Sequence, residues 1–158
     1  MADITPCENT TEYIYSTYFD MVYRICFVML GGNAADTEDA VQTVFMKYIE
    51  TANKPAAGEH TKAWLIVTAK NTCLSFLRLS HRKNRDIDAA KNLSADFHYS
   101  EALDAVMHLP RKEKLAVYLC LYEEYTAAQA AKIMGCKENT VYSYIHRARK
   151  KLQRQLGE

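Results

Sequence analysis

The sequence predicts an all-α fold made of two small helical lobes joined by a linker. Glycine (5) and proline (3) are scarce in the 158 residues, which disfavours a turn-rich all-β fold. Apolar residues make up 49% of the chain, enough to form a packed core. They recur at three- and four-residue spacing along most of the chain, a pattern typical of helices with one buried face.

Two helices are predicted at the start of the first lobe. The first runs from about Thr10 to Leu30 and ends at Gly31-Gly32, because glycine readily adopts dihedral angles that leave a helix. The second begins after Asn33, a favoured N-cap residue, and continues to about Ile49. The polar side chains on the outward side of this helix are Asp36, Asp39, Gln42 and Thr43. They could bind a basic protein partner or form an ordinary solvated surface.

A loop over residues 51–60 contains proline and glycine and precedes a long third helix. Thr61 is expected to cap this helix, which ends near Arg82. From Lys62 to Arg85 the chain has six Lys and Arg residues and no acidic residue. Such a face suits DNA phosphates, and the loop could hold an unstacked base. The candidate DNA-contacting residues are Lys62, Lys70, Asn71, Arg78 and Arg82.

The segment 84–100 is polar and mixed in charge, and it lacks a sustained apolar stripe. These properties are typical of a linker between compact domains. The predicted domains are therefore residues 1–83 and 101–158, with residues 84–100 between them.

Two short helices are predicted to begin the second lobe. The first contains Leu103 and Val106 and is ended by Pro110, because the residue before proline is disfavoured in helical conformation. The apolar stripe of the next helix is formed by Leu115, Tyr118, Leu119 and Tyr122.

The end of the chain has the pattern of a helix-turn-helix. Thr126 and Gln129 form a capping-box pair that opens a helix over Ala127–Met134. Gly135 supplies the turn, and a basic helix follows from about Lys137 to Leu156. This order is typical of DNA-binding helix-turn-helix motifs, although other helical hairpins share it.

In such a motif the second helix lies in the major groove, with its first turns over the base edges. Val141 and Ile145 must face the core, so the other side chains are free to face DNA. Asn139 suits adenine, Glu138 suits cytosine, and the later basic residues suit phosphates. The candidates are Glu138, Asn139, Thr140, Tyr142, Ser143, His146, Arg147 and Arg149.

Catalysis and metal binding find little support in the sequence. The five histidines are scattered, and no glycine-rich phosphate loop is present. The five cysteines form no CxxC pair, and Cys26 and Cys73 are interpreted as small core residues. We therefore expect no catalytic residue, no metal, no cofactor and no enzymatic activity. Without a signal peptide or a membrane span of its own, the chain is expected to be cytoplasmic.

Three ordered segments carry a family resemblance. They are ADTEDAVQTVFMKYI (Ala35–Ile49), KAWLIVTAKNTCLSFLR (Lys62–Arg78) and MGCKENTVYSYIHRARKKL (Met134–Leu152), the last preceded by Leu109-Pro110. Together they resemble the extracytoplasmic-function (ECF) group of bacterial sigma factors. The first two segments are similar to region two of that family, and the third is similar to region four.

The resemblance implies a sigma factor that binds core RNA polymerase and directs it to promoter DNA. It implies that the clamp coiled coil of the polymerase is held by Asp36, Asp39, Gln42, Thr43 and Phe45. Asn71 and its basic neighbours would handle the minus-ten element, and the final helix would handle the minus-thirty-five element. The polymerase flap and an anti-sigma factor are further partners that the resemblance implies.

The chain departs from the family pattern at several positions. Tyr142 and Tyr144 replace usual basic residues of the final helix, and Thr43 and Ser75 replace usual acidic residues. We therefore expect the final helix to recognise DNA through a mixed polar and aromatic surface rather than mainly through cations.

Two other functions are consistent with parts of the sequence. A stand-alone helix-turn-helix regulator would bind DNA without polymerase, usually as a dimer on a palindrome. A helical adaptor or a lobe of an enzyme would belong to a different class. The enzyme would need a ligand pocket, which the sequence does not show.

Overall fold

The computed structural model describes residues 10–56, 58–83 and 101–157, except for the side chains of residues 80–83. The described residues form helices and turns and contain no β-strand, so the predicted all-α fold is confirmed. The chain divides into two compact units, one with three helices and one with the remainder. The predicted linker, residues 84–100, lies outside the described residues, so the domain boundaries stay predictions.

The first unit contains α1 (Thr11–Met29), α2 (Ala34–Glu50) and α3 (Glu59–Lys83). The helix α1 begins where predicted, because the Thr10 hydroxyl accepts a hydrogen bond from the backbone N–H of Tyr13 at 3.2 Å. Each of the three helices packs against the other two.

The core of this unit is formed by one apolar stripe from each helix. On α3, Leu65, Ala69 and Cys73 are fully buried, at successive four-residue spacing. Phe76 and Leu77, which continue the apolar spacing along α3, are only half-buried. The α3 stripe is therefore deepest between Leu65 and Cys73.

The start of α3 differs from the prediction that Thr61 caps it. The helix begins at Glu59, and the carbonyl of Gly58 already accepts a hydrogen bond from the N–H of Lys62 at 3.1 Å. Thr61 lies inside the first turn, is fully buried, and donates its hydroxyl to the Ala56 carbonyl at 2.9 Å. Thr61 is therefore not the cap, and it ties the preceding loop to the helix.

The second unit begins with α4 (Glu101–Met107) and α5 (Arg111–Val117), which continues as a π-helical turn over Tyr118–Tyr122. The prediction that Tyr122 faces the core is wrong, since this side chain is 58% exposed. A π-helical turn bonds residue i to residue i+5, so later side chains rotate away from the stripe that α-helical spacing predicts. Tyr118 and Leu119 remain buried.

The helix-turn-helix has the predicted form. The helix α6 spans Ala127–Met134, and both hydrogen bonds of the capping box between Thr126 and Gln129 are present, at 3.1 and 2.9 Å. Gly135 adopts a left-handed φ of 70°, which allows the chain to turn into α7 (Glu138–Gln155). The core beneath α7 consists of Leu109, Val117 and Ala148, with Val106, Ile145 and Leu152 packed against them.

Glu124, just after the π-helical turn, has a left-handed φ of 60° that side chains other than glycine rarely adopt. Replacing it with glycine relieves this strain, and we expect Glu124→Gly to raise the free energy of unfolding by about 0.5–1 kcal/mol. Gly135→Ala is the control, and it should lower the free energy of unfolding instead. Its new Cβ would meet no atom within 4 Å, so the backbone strain alone should lower stability. Denaturant unfolding measures both, and a destabilised Glu124→Gly protein would contradict the assignment.

Cys26 and Cys73 are both fully buried, which confirms their interpretation as core residues. A hydrogen bond with Cys73, together with burial, raises the pKa of the Cys26 thiol well above its ordinary value. Cys26 therefore forms less of the reactive thiolate, and burial shields both Cys26 and Cys73 from reagents. We expect iodoacetamide to modify the half-buried Cys136 of the native protein much faster than either of them. Mass spectrometry of the alkylated peptides measures the rates, with denatured protein as control. Equal alkylation rates of Cys26, Cys73 and Cys136 in the native protein would contradict the burial of the first two.

Candidate nucleic-acid and protein interfaces

One face of α2 presents a continuous exposed row, which we call the outer stripe: Asp39, Gln42, Met46 and Ile49. The spacing of three and four residues places these side chains on one side of the helix. Met46 is 54% exposed and Ile49 is 52% exposed. The stripe therefore has a polar first half, Asp39 and Gln42, and an apolar second half. Contiguous exposed apolar residues with a polar border are typical of protein interaction sites.

The other predicted polymerase-binding residues lie beside or beneath this stripe. Asp36 and Thr43 are half-buried, and the Thr43 hydroxyl donates to the Asp39 carbonyl at 2.8 Å. Phe45 is buried, with its ring edge-on to that of Tyr15 at a centroid distance of 4.9 Å. Phe45 therefore supports α2 from the core side and does not lie on the exposed face.

Sequence reasoning missed Met46 and Ile49 as candidate interface residues. The signal was present in their spacing, because they continue the row of Asp39 and Gln42 by four and three residues. Single exposed apolar residues are common on protein surfaces, and it is the adjacency of two large ones on the same face that is typical of an interaction site.

A cleft of about 420 Å³ lies between the end of α2 and the middle of α3. Trp64 packs edge-on against Tyr48, with ring centroids 5.7 Å apart, and remains half-exposed toward the cleft. Trp64 therefore packs against the core residue Tyr48 and also lines the cleft. The cleft is lined by Lys47, Glu50, Thr51, Trp64, Thr68 and Asn71.

Two lysines fix the walls of this cleft. The Lys47 ammonium donates to the Thr72 hydroxyl at 3.1 Å and so links α2 to α3. The Lys54 ammonium donates to the carbonyls of Tyr48, Ile49 and Thr51, at 2.8, 3.2 and 2.9 Å. The first two are carbonyls of the last turn of α2 and the third belongs to the residue after it; the Tyr48 carbonyl also accepts from the N–H of Thr51 at 3.3 Å. The loop therefore folds back onto α2 beside the cleft.

The lining of the cleft matches what an unstacked nucleobase requires. The indole of Trp64 offers a surface for stacking, and the Asn71 amide and Thr68 hydroxyl offer donors and acceptors for a base edge. Asn71 and Arg78 are exposed and lie seven residues apart on one face of α3. Lys62 and Lys70 are half-buried, and the side chain of Arg82 lies outside the described residues.

The helix α7 turns the residues that were predicted to face the core toward it. Val141 is buried and Ile145 is half-buried, while Thr140 is half-buried at the edge. Tyr142 is 58% exposed, with its hydroxyl 3.5 Å from a carboxylate oxygen of Glu138. The exposed candidates on this helix are Glu138, Asn139, Tyr142, Ser143, His146, Arg147 and Arg149.

The basic residues of α7 do not share one environment. Lys151 donates to both carboxylate oxygens of Glu113, at 3.0 and 2.9 Å. The Nε atom of Arg147 lies 3.9 Å from the same carboxylate, and its guanidinium lies 5.3 Å from the centroid of the half-buried Tyr144 ring. Arg149 is exposed, in contrast. Sequence reasoning missed Glu113, which lies 38 residues from Lys151 in the chain.

Among the residues that the structure describes, no group of His, Cys, Asp and Glu side chains is arranged to hold a metal ion. None of the described helices is both long and apolar enough to cross a membrane.

Comparison with protein families identifies the architecture. Residues 14–83 match the model of sigma-70 region 2, and residues 99–152 match the model of sigma-70 region 4. The chain belongs to the sigma-70 family. Its function is therefore that of a sigma factor in transcription initiation. A stand-alone regulator would need only the helix-turn-helix, and the match to region 2 gives that alternative no support.

Several curated relatives of this sigma factor are named as ECF RNA polymerase sigma factors, in agreement with the resemblance. It is 29% identical to the ECF RNA polymerase sigma factor EcfG of Rhodopseudomonas palustris over 137 residues, which cover 82% of the chain and 76% of EcfG. It is 26% identical to RNA polymerase sigma factor SigV of Bacillus subtilis over 140 residues, covering 85% and 83%. It spans 60% of the length of the ECF sigma factor BldN of Streptomyces coelicolor, at 25% identity over 92% of this chain.

Solved structures share the fold of this sigma factor. Sigma factor RpoE, in complex with the anti-sigma factor NepR from Bartonella quintana, aligns with a TM-score of 0.76 at 24% identity, covering 90% of this chain and 94% of RpoE. CnrH, in complex with the cytosolic domain of CnrY, aligns with a TM-score of 0.68 at 17% identity, covering 97% and 91%.

Proposed function

We propose that this sigma factor binds core RNA polymerase through the outer stripe of α2 and contacts promoter DNA through the cleft, α3 and α7. The observation that carries the proposal is the separation of two surfaces within the first unit. An acidic and apolar stripe lies on α2, and α3 carries cations and no acidic residue from Lys62 onward. One surface suits a protein and the other suits DNA.

The outer stripe has the composition of a protein interface. Met46 and Ile49 would supply apolar contact area, and Asp39 and Gln42 would supply a charged and a neutral polar partner. A basic coiled coil with apolar side chains would complement this arrangement, because opposite charge fixes register while apolar contact supplies affinity. The clamp coiled coil of the polymerase is the partner that family membership favours.

The cleft is proposed to hold one unstacked base of the minus-ten element. Stacking on Trp64 would favour any base, whereas hydrogen bonds to Asn71 would select among bases. Arg78 and the other cations of α3 would contact the neighbouring phosphates. A base reaches such a site only from a single strand, so this surface would act on opened promoter DNA.

The exposed face of α7 is proposed to contact the minus-thirty-five element. Glu138 and Asn139 at the start of the helix would face base edges, and Arg149 further along would contact phosphate. The second unit would also contact the polymerase flap. This protein would act in the cytoplasm and without catalytic activity of its own.

An anti-sigma factor is a further proposed partner. RpoE and CnrH, which share the fold, were both solved with partners, and NepR is named as an anti-sigma factor. The outer stripe would be the most direct target for such a partner, because covering its exposed Met46 and Ile49 would exclude polymerase.

The polymerase surface is tested by Asp39→Arg. Reversing an exposed charge on the outer stripe should weaken binding to core RNA polymerase by about 2 kcal/mol, roughly thirtyfold in Kd, and leave helicity intact. Titration of labelled protein against purified core polymerase measures the affinity.

Asp20→Arg provides the matched control, because Asp20 is an equally charged, exposed residue on α1. Its affinity for core polymerase should change much less than that of Asp39→Arg. Unchanged binding by Asp39→Arg would remove the outer stripe from the interface.

Promoter recognition is tested at the two tyrosines of α7. Tyr142 is exposed and Tyr144 is half-buried against Arg147, so their substitutions should have different effects. Tyr142→Ala should change preference at one upstream base pair by roughly 1–3 kcal/mol. Tyr144→Ala should leave that preference unchanged. Transcription of a promoter library by polymerase carrying each variant measures both.

Arg149→Ala is the control for a phosphate contact. It should weaken all promoters of the library by a similar factor, because a phosphate contact carries no base information. If Tyr144→Ala shifts the upstream preference and Tyr142→Ala does not, the proposed face of α7 is displaced by a residue or more.

A further inference from the structure

Glu113 is an acidic residue buried beneath a basic helix. It lies in the first turn of α5, is 5% exposed, and accepts two hydrogen bonds from Lys151 of α7. A carboxylate removed from water is costly unless a cation compensates it, so the ammonium of Lys151 is strongly held. The Lys151 side chain is 41% exposed and would otherwise be accessible to solvent ions.

Arg147 is drawn toward the same carboxylate. Its Nε atom lies 3.9 Å from Glu113 and also donates to the Ser143 carbonyl at 3.4 Å. The guanidinium packs over the ring of Tyr144. Three contacts thus orient Arg147 along its own helix and toward α5. Arg149, two residues later, is exposed and has no ion pair within the described part of the chain.

We infer that Glu113 withholds Lys151 and Arg147 from the DNA backbone, so that α7 binds DNA with fewer cations than its sequence contains. Glu113 is a positioning residue in this role, because it acts through the two cations and does not itself touch DNA. The inference rests on the proposed function of α7 in DNA binding. It reassigns Arg147, which the sequence placed among the DNA-contacting residues, to a surface pair with Glu113, in which the arginine side chain stays 55% exposed.

The physical consequence is a limit on sequence-independent affinity. Each phosphate neutralised by a protein cation releases counterions and adds about 0.9 to the slope of log K against log salt. Cations held on Glu113 are less free to neutralise a phosphate, so together Lys151 and Arg147 should contribute less to that slope than two free cations would. Recognition of a particular promoter then depends more on the base-facing residues at the start of α7, since the non-specific contribution is smaller.

The experiment measures binding of the full chain to a fluorescein-labelled duplex of mixed sequence over a range of NaCl concentrations. Glu113→Gln keeps the shape of the side chain and removes the charge, which releases both cations. We expect its salt slope to steepen by about 1–2, and its affinity near 0.1 M salt to rise roughly five- to tenfold for each phosphate that a released cation reaches.

Two arginine variants test the same inference without disturbing the buried pair of Glu113 and Lys151. Arg149→Gln should lower the salt slope of the otherwise unchanged protein by about 1, whereas Arg147→Gln should lower it by less. In the Glu113→Gln background, adding Lys151→Gln should remove part of the increase in affinity. Circular dichroism of each variant verifies the fold.

The outcomes separate the inference from the proposed function. An unchanged slope for a folded Glu113→Gln protein, or equal losses for Arg147→Gln and Arg149→Gln, would overturn the inference alone. If no variant, including Arg149→Gln, alters DNA binding, then α7 is not the DNA-binding surface, and the proposed function of α7 fails together with the inference. Transcription with core polymerase then reports independently whether the chain acts as a sigma factor.

Discussion

The buried stripe of α3 is the contact on which the first unit depends. Leu65, Ala69 and Cys73 lie four residues apart and are fully buried, with α1 and α2 both packed against the helix. Because a helix has one rotation about its axis, burying this stripe fixes the direction of every other residue on α3. Trp64 and Asn71 then face the cleft with α2, and the outer stripe of α2 is left exposed. Both candidate surfaces of the unit follow from one packing arrangement.

Much of the fold could be predicted because it is encoded in short stretches of sequence. The capping box at Thr126, the glycine turn at Gly135 and the apolar spacing of α7 each involve residues within four positions of one another. The family resemblance rests on the same local segments, and the matches to regions 2 and 4 support it. The residue roles at each surface remain proposals.

The features that sequence reasoning missed depend on contacts between distant or irregular parts of the chain. Thr61 looked like a cap because of its residue type, but its hydroxyl is used by the carbonyl of Ala56. Tyr122 left the core because a π-helical turn changed the register of α5. Glu113 pairs with a lysine 38 residues away. Periodicity describes which face of a helix is apolar, and it contains no information about such partners.

The attachment of Lys54 to the end of α2 has a consequence for how the cleft would meet a ligand. Three carbonyl hydrogen bonds, and a position 4.8 Å from the centroid of the Tyr48 ring, hold this loop residue before any base arrives. The entropy of ordering that part of the loop is therefore lost during folding rather than during binding. In the proposed function, a preorganised wall would let a single stacked base bind with more of its intrinsic interaction energy retained. The entropy of holding the long Lys54 side chain falls on the stability of the free protein, in which the Thr51 hydroxyl also donates to the Lys47 carbonyl at the end of α2, at 2.6 Å.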